Sequence, residues 1–501
     1  MASNSYTPPG VTVREIVEPS VSPLLATSST IALVGLAKGS IVKTDAVTFT
    51  GEAAVTLPGT STGDTMGTGA ILKVVDAIEP SISEALSGGK YAEGAKGFIF
   101  SNTAHTVARG NESLIPDGHT VYVTYEYTPE NYFAPVRLSS LSEVTNRFGE
   151  VYDSTGATIL SPLSYAAALA FENGAQELVL QPLFYETGGK KQTPTSGQAA
   201  EAAVWADNFS NLRDIDTINI LVPVVGQSQA SVNDATQLAI IQAAQDHAKF
   251  MKSQQQYMMV IAGEDSSASA GVAQMSTLRT HATTVAARYG GEMAEQTVLI
   301  SPSKFYRLTP TAESTQIAVG GQYMAAAIAG MVASRPVSQS LTRKIVSGFS
   351  AVGERRELQD KNTDAAAGLV VIEPKATAIQ IRHGITTNVS GGASKREISV
   401  VRAKHVVIES LQDTIETQII GQVIADGDAP LIVRSAVISV LEELRLASDI
   451  VEYGDVQAAQ QSLDPTVIEV RFSYRPAFPV NYVNIVFSLD LTTGTLTETE
   501  P

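Results

Sequence analysis

Thr217–Val224 (TINILVPV), Asp234–Lys252 (DATQLAIIQAAQDHAKFMK) and Tyr257–Ala262 (YMMVIA) follow one another along the chain. The first is rich in β-branched residues and bounded by polar loops, which predicts a strand. The second carries apolar residues at helical spacing, Leu238, Ile241 and Met251 among them, and predicts a helix. The third is a short apolar run, too short for a helix of ordinary length. A strand, a helix and a strand in this order place the two strands parallel in a sheet whose faces are covered by helices.

The same alternation extends outward from this stretch. Ser161 and Pro162 form a helix start, a capping side chain followed by proline at the first helical position, and Asn173-Gly174 forms its stop. Glu177–Leu180 follows as a strand, then Val272–Tyr289 as a helix, Thr297–Ser301 as a strand and Gly321–Ala333 as a helix of small residues. The apolar run Ile31–Leu36 predicts a further buried strand. The fold class is therefore α/β and α+β multidomain, with a central, mainly parallel βαβ sheet domain.

Two regions depart from that pattern. Residues 41–132 are rich in Gly, Thr and Ser and hold short β-type runs such as Phe98–Phe100. In Thr120–Tyr127, Val121, Val123, Tyr125 and Tyr127 alternate with polar neighbours, as in a half-buried strand. An inserted all-β domain is expected there. From about residue 386 the chain reads as α+β, with helices over Arg402–Ile420 and Ala429–Ala447. Two strands follow, one with Ile468, Val470, Phe472 and Tyr474 on one face, the other with Val483, Ile485, Phe487 and Leu489. The expected layout is an extended arm over 1–22, a discontinuous central domain over 23–40 and 133–385, the insertion over 41–132, and a C-terminal α+β domain over 386–501.

Composition removes several function classes. The net charge is −17, from 51 acids against 34 bases, with no basic block, so the phosphate-neutralising stripe of a direct nucleic-acid binder is missing. With no cysteine, disulfides, thiolate metal sites and cysteine nucleophiles are excluded. No secretory signal is visible at the start. The most apolar run, Tyr323–Ala333, is too short to cross a bilayer, and no membrane insertion is expected.

The motifs that resemble catalytic ones lack required parts. Gly59-Thr-Ser61-Thr-Gly63 fits the nucleophile-elbow pattern but is flanked by loop residues, not by a strand and a helix. Gly348 to Gly353 spaces its glycines like a phosphate loop, yet Glu354 stands where a lysine must reach the phosphates. His105, His119, His247, His281, His383 and His405 are scattered without metal-site spacing. Asp214 with Asp216, and Glu264 with Asp265, are acid pairs near strand ends, where α/β folds host catalytic carboxylates and also ordinary turns. No enzyme activity, cofactor or metal is expected.

Taken in order, a series of segments resembles the contractile phage tail sheath family. They are Tyr6–Glu15 (YTPPGVTVRE), Thr30–Ser40 (TIALVGLAKGS), Pro135–Gly149 (PVRLSSLSEVTNRFG), Tyr165–Leu180 (YAAALAFENGAQELVL), Ile215–Pro223 (IDTINILVP), His383–Thr387 (HGITT), Val400–Glu409 and Asp464–Leu489. Each motif is weak alone, and their order and coverage carry the likeness. Residues 301–352 depart from the family's usual pattern.

The resemblance implies a structural subunit of the virion tail, assembled in the host bacterial cytoplasm, that polymerises with itself as hexameric rings in a helical sheath. Its implied partners are an inner tail tube protein, baseplate proteins and a tail terminator. It further implies exchanged terminal strands, with Val11, Thr12, Val13, Arg14, Glu15, Ile16 and Val17 at one end and Val483, Ile485, Phe487 and Leu489 at the other. The C-terminal domain would face the tube, with Arg434 and Arg445 as candidate contacts, and the insertion would face outward. An α/β enzyme with an oligomerisation domain, and a surface-binding decoration protein of the virion, are the rival readings.

Overall fold

The computed structural model describes residues 30–485, apart from 61–63, 67–69, 79–82, 86–90, 216, 226–232, 266–271, 311, 355, 377, 465 and 482. Two compact units divide the chain, and their described parts are 30–405 with 478–485, and 406–477.

The first unit is built on an eight-stranded sheet. Its strands, in chain order, are β1 (Ile31–Gly35), β2 (Val136–Leu138), β3 (Leu178–Pro182), β4 (Ile220–Val224), β5 (Met259–Ala262), β6 (Thr297–Ser301), β7 (Leu369–Lys375) and β8 (Ala378–Ile381). Their order across the sheet is β8-β7-β6-β5-β4-β1-β3-β2. The six inner strands are parallel, and β2 and β8 pair antiparallel at the two edges. Pro223 is tolerated in β4 because β4 pairs with β5 only at Ile220 and Leu221; the proline, which has no N–H to donate, lies past that pairing.

Alternate residues of these strands bury on opposite faces. Leu33, Leu180, Val222, Ile261 and Ile300 meet the helices Pro162–Glu172 and Gly321–Ala333. Ala32, Val34, Val179, Leu221 and Val260 meet the helices Ala202–Ser210 and Asp234–Ser253 on the other side. Farther along that face, Leu299 and Leu369 pack with Leu278, Ala282 and Val285. The inner strands are mostly apolar because both faces are covered.

Ser161 caps its helix by accepting from Ser164 N at 3.3 Å, with Pro162 at the first position and Gly174 at φ 102° past the end. The small-residue composition of Gly321–Ala333 has a steric reason. A Cβ on Gly330 would lie 2.2 Å from the carbonyl oxygen of Ala170, so only glycine lets the two helices approach so closely.

Between β1 and β2 the chain forms two sheets of its own. One has four strands, in the order Ile41–Thr48, Thr120–Tyr127, Ile71–Asp76 and Ser83–Ala85; the other has three, Val55–Thr56, Thr106–Arg109 and Phe98–Ser101. Val47, Phe49, Phe98, Val107, Val121, Val123 and Tyr125 form their shared core. Asp76 is buried there. Tyr91 Oη donates to it at 2.6 Å, Ile78 N at 2.8 Å, and His119 Nδ1 lies at 3.0 Å. These hydrogen bonds, led by that of Tyr91, outweigh burial and bring its pKa down to about 2.

Helix Ile398–Gln418 starts in the first unit, where Ile398 and Val401 are buried in the main core, so residues 386–405 pack with that unit. In the second unit, helix Ala429–Leu446 packs Val433 and Ala436 with Ile419, Ile468 and Val470.

Candidate functional site

The second unit carries a long hairpin that the sequence reading only half anticipates. Ile450–Tyr453 pairs antiparallel with Tyr474–Pro476, and Gln457–Gln460 pairs with Ile468–Arg471. The single strand expected over 468–474 is thus two short strands in separate two-stranded sheets. Its alternation survives the break: Ile468, Val470, Phe472 and Tyr474 are half-buried, and Glu469, Arg471 and Ser473 are exposed. Between the two sheets Gly454 N donates to Ser473 O at 2.7 Å, and the outer pairing carries a register shift between Ile450 and Glu452. The first half of the hairpin was missed, although its Ile450-Val-Glu-Tyr453 start carries a β-type composition.

Each of these two-stranded sheets has no third strand among the described residues. Among the described residues, Val451 and Leu463 are exposed apolar side chains of this hairpin, the latter 98% exposed.

The predicted assembly residues are placed as follows. Val11 to Val17, Phe487 and Leu489 lie outside the described residues. Val483 and Ile485 are described, belong to no strand, and are 74% and 81% exposed. Arg434 donates from Nε to Val456 O at 2.6 Å and lies 3.8 Å from Asp455, so it ties its helix to the hairpin. Arg445 pairs with Glu442 of its own helix, which also accepts from Tyr453 Oη at 3.2 Å.

The rival, enzymatic reading directs attention to the carboxyl ends of the parallel strands, where α/β sheets hold ligands. Just past β5, the buried Glu264 contacts His281 Nδ1 at 2.7 Å. Burial pushes the Glu264 carboxyl up. Burial opposes charge on His281, but the hydrogen bond and negative charge of Glu264 outweigh it and hold the imidazole above its usual range. The pair therefore keeps one shared proton to higher pH than either group alone. Burial also raises Asp265 to about 6, and its backbone is fixed by Gln237, whose Nε2 donates to the Asp265 carbonyl at 2.9 Å.

Past β6, Ser301 Oγ and Arg279 Nε donate to the fully buried Asp364 at 2.8 and 2.6 Å, and Arg356 joins the same carboxylate. Asp364 is saturated by three donors, the arrangement of a structural ion cluster. The cluster is assembled from residues far apart in sequence, which is why no local motif announced it. Asp214 of the other acid pair is described and Asp216 is not.

The motif matches resolve as structural features. In the glycine pair Gly348 and Gly353, Ala351–Val352 between them is a short strand, paired with Phe305 and Tyr306, and the next helix, Leu358–Ala366, does not begin at the second glycine as a phosphate loop requires. Ser61 and Gly63 lie outside the described residues. His119, His281 and His383 each contact a carboxylate, Asp76, Glu264 and Glu397. Among the described residues no three His, Asp or Glu side chains are grouped to hold a metal ion.

No protein-family model matches the chain. A tail sheath protein of Mycobacterium phage Bxz1 is 29% identical to it over 390 residues, 77% of this chain and 61% of that protein. The chain is a homologue of tail sheath proteins. A tail sheath protein of Bacillus phage SP01 is 31% identical over 186 residues, which span 36% of this chain and 31% of the relative. The sheath homologue thus spans less than two thirds of the length of either relative. Its fold is that of solved contractile sheaths. The helical sheath of the anti-feeding prophage in its contracted state matches with a TM-score of 0.56 at 12% identity, over 97% of this chain and all of that one. The contracted PVC sheath complex, an extracellular contractile injection system, matches with a TM-score of 0.53 at 12% identity, over 98% and 99%.

Proposed function

We propose that the chain is the structural subunit of a contractile tail sheath, without catalytic activity. It polymerises as a helical array of hexameric rings around an inner tail tube, and its contraction drives the tube through the host envelope. The observation that carries this reading is the alignment of 77% of the chain with a phage tail sheath protein; the fold likeness to two sheaths solved in the contracted state supports it.

The hairpin Ile450–Pro476 is the acceptor in this scheme, and the terminal segments around Val11–Val17 and Val483–Leu489 are the donors. Strand addition supplies main-chain hydrogen bonds as adhesive, and alternating side chains set the register. The exposure of Val483 and Ile485 outside any strand agrees with a segment that finds its partner in another subunit. Head-to-tail contacts that do not close generate open helices. The insertion over 41–132 faces outward, the C-terminal domain faces the tube, and assembly takes place in the host cytoplasm with baseplate and terminator proteins at the ends.

Negative-stain microscopy of the concentrated purified protein should show rings, tubes or short sheaths. Deleting residues 1–17 should abolish these assemblies and leave a folded monomer. Normal tubes from the truncated protein would remove the N-terminal arm from the scheme, and a wild-type protein that stays monomeric at every salt and concentration would overturn the sheath reading itself.

A further inference from the structure

In a chain of net charge −17, one cavity of about 500 Å³ in the first unit is lined by cations. Arg343, Arg382, His383 and Arg396 converge on it with Asn362 and Asn481. Two carboxylates contact this lining from outside the cavity. Glu373 accepts from Arg343 at 2.8 Å and from Arg382 and Lys361 at 3.2 Å each, while Glu397 faces His383 and accepts from Asn481 at 2.7 Å. Three fixed cations, Arg343, Arg382 and Arg396, line the cavity against two carboxylates that contact this lining, so positive charge is in excess there even with His383 neutral.

The arginines are unevenly used. Arg382 is committed to Glu373 and to Asn362 Oδ1, at 2.8 Å. Arg343 keeps 58% of its side chain exposed, and the Nε of Arg396 is buried without a hydrogen-bond partner among the described residues. A guanidinium presents a planar fork that fits a carboxylate through two parallel hydrogen bonds. We infer that this cavity receives a carboxylate-bearing segment from a second copy of this chain. The surplus of 51 acids over 34 bases means that a neighbouring copy presents mainly negative surface, and this pocket is where the chain offers the complementary sign. The identity of the partner rests on the sheath reading; the preference of the pocket for carboxylate does not.

Arg343 is the residue to change, because its exposure makes a folding defect least expected. The full-length Arg343→Glu protein should stay folded with a lowered thermal midpoint, since Glu373 loses one of its cations and keeps Lys361 and Arg382. It should sediment as assemblies about tenfold less than the wild type at equal concentration, with Arg343→Gln between the two. In a second arm, fluorescein-labelled hexaglutamate is titrated into dilute protein by anisotropy. The wild type should bind it in a salt-sensitive way, and Arg343→Glu should weaken binding by about fivefold or more.

A folded Arg343→Glu protein that assembles like the wild type overturns the contact between copies. Hexaglutamate binding that is indifferent to the substitution, or weaker than binding of a single-stranded oligonucleotide at the same pocket, overturns the carboxylate assignment. If the wild type never assembles, the sheath reading falls and the partner with it, and the hexaglutamate arm still decides the pocket.

Discussion

Asp364 shows how a single residue in this fold can be essential without being catalytic. Its carboxylate is fully buried and holds Arg279, Arg356 and Ser301 at the carboxyl end of β6. Isolated in apolar surroundings, each of these charges would be costly; together they are compensated. Asp364→Ala leaves two guanidinium groups without their shared anion, and should destabilise the first unit by about 3–5 kcal/mol. Chemical denaturation followed by circular dichroism checks this, and a loss below about 1 kcal/mol would mean that water or neighbouring acids replace the lost partner. In the sequence nothing marks Asp364 out from the chain's other acids. What gives it weight is the fold that brings Arg279, 85 residues away, to within 2.6 Å.

At the scale of elements, much was legible because each signal is local. Ser161-Pro162 and Asn173-Gly174 bracket the helix Pro162–Glu172 as read. Gly321–Ala333 and Thr297–Ser301 have the bounds expected from their patterns. The strand order was not legible, since neighbours such as β1 and β4 are joined through contacts some 190 residues apart in sequence. The division of 468–476 into two short strands was hidden for the same reason, because it depends on where Ile450–Tyr453 and Gln457–Gln460 pair with it. The candidate sites divide likewise: composition and missing motif parts argue against catalysis, whereas the hairpin and the cationic cavity exist only in three dimensions.

The contact of the helices Pro162–Glu172 and Gly321–Ala333 gives a prediction at this scale. By helix propensity alone Gly330→Ala gains about 1 kcal/mol. The new Cβ would meet the Ala170 backbone at 2.2 Å, and backbone cannot rotate away. Separating the two helices costs about 1–3 kcal/mol or more, so the variant should be less stable than the wild type. Gly197→Ala is the matched control, since it stands in the helix Ser196–Ala199 with no atom within 4 Å of the added Cβ. Equal urea midpoints for the two variants would show that the helix pair can relax.

For the molecule as a whole, buried ionisable groups set a pH range of stability. Burial, with the charge of Arg213, brings the His247 pKa down to about 4. Burial, with the charges of Lys404, Lys252 and Arg402, brings that of His405 down to about 3. An imidazole in the unfolded chain titrates near 6.5. Between 6.5 and those folded values the unfolded chain therefore binds more protons than the folded one, and stability falls as pH falls, by up to about 1.4 kcal/mol per pH unit for each histidine.

Asp265 acts in the opposite sense. With its folded value near 6 against 3.8, it binds a proton only in the fold between those limits, and there it offsets one of the two histidines. Below 3.8 that offset ends, and Asp76, at about 2, joins His405 in lowering stability. On the alkaline side the raised His281 contributes stability that is complete below 6.5 and is lost as pH rises through its folded value. The unassembled protein should thus be most stable near neutrality, with a shallow decline from pH 6 to 4 and a steeper one below 3.8. Thermal midpoints of dilute protein across this range test the shape. His405→Gln, which removes one of the groups that charge on unfolding, should flatten the decline between pH 6 and 4; an unchanged slope would show that His405 is protonated within the fold.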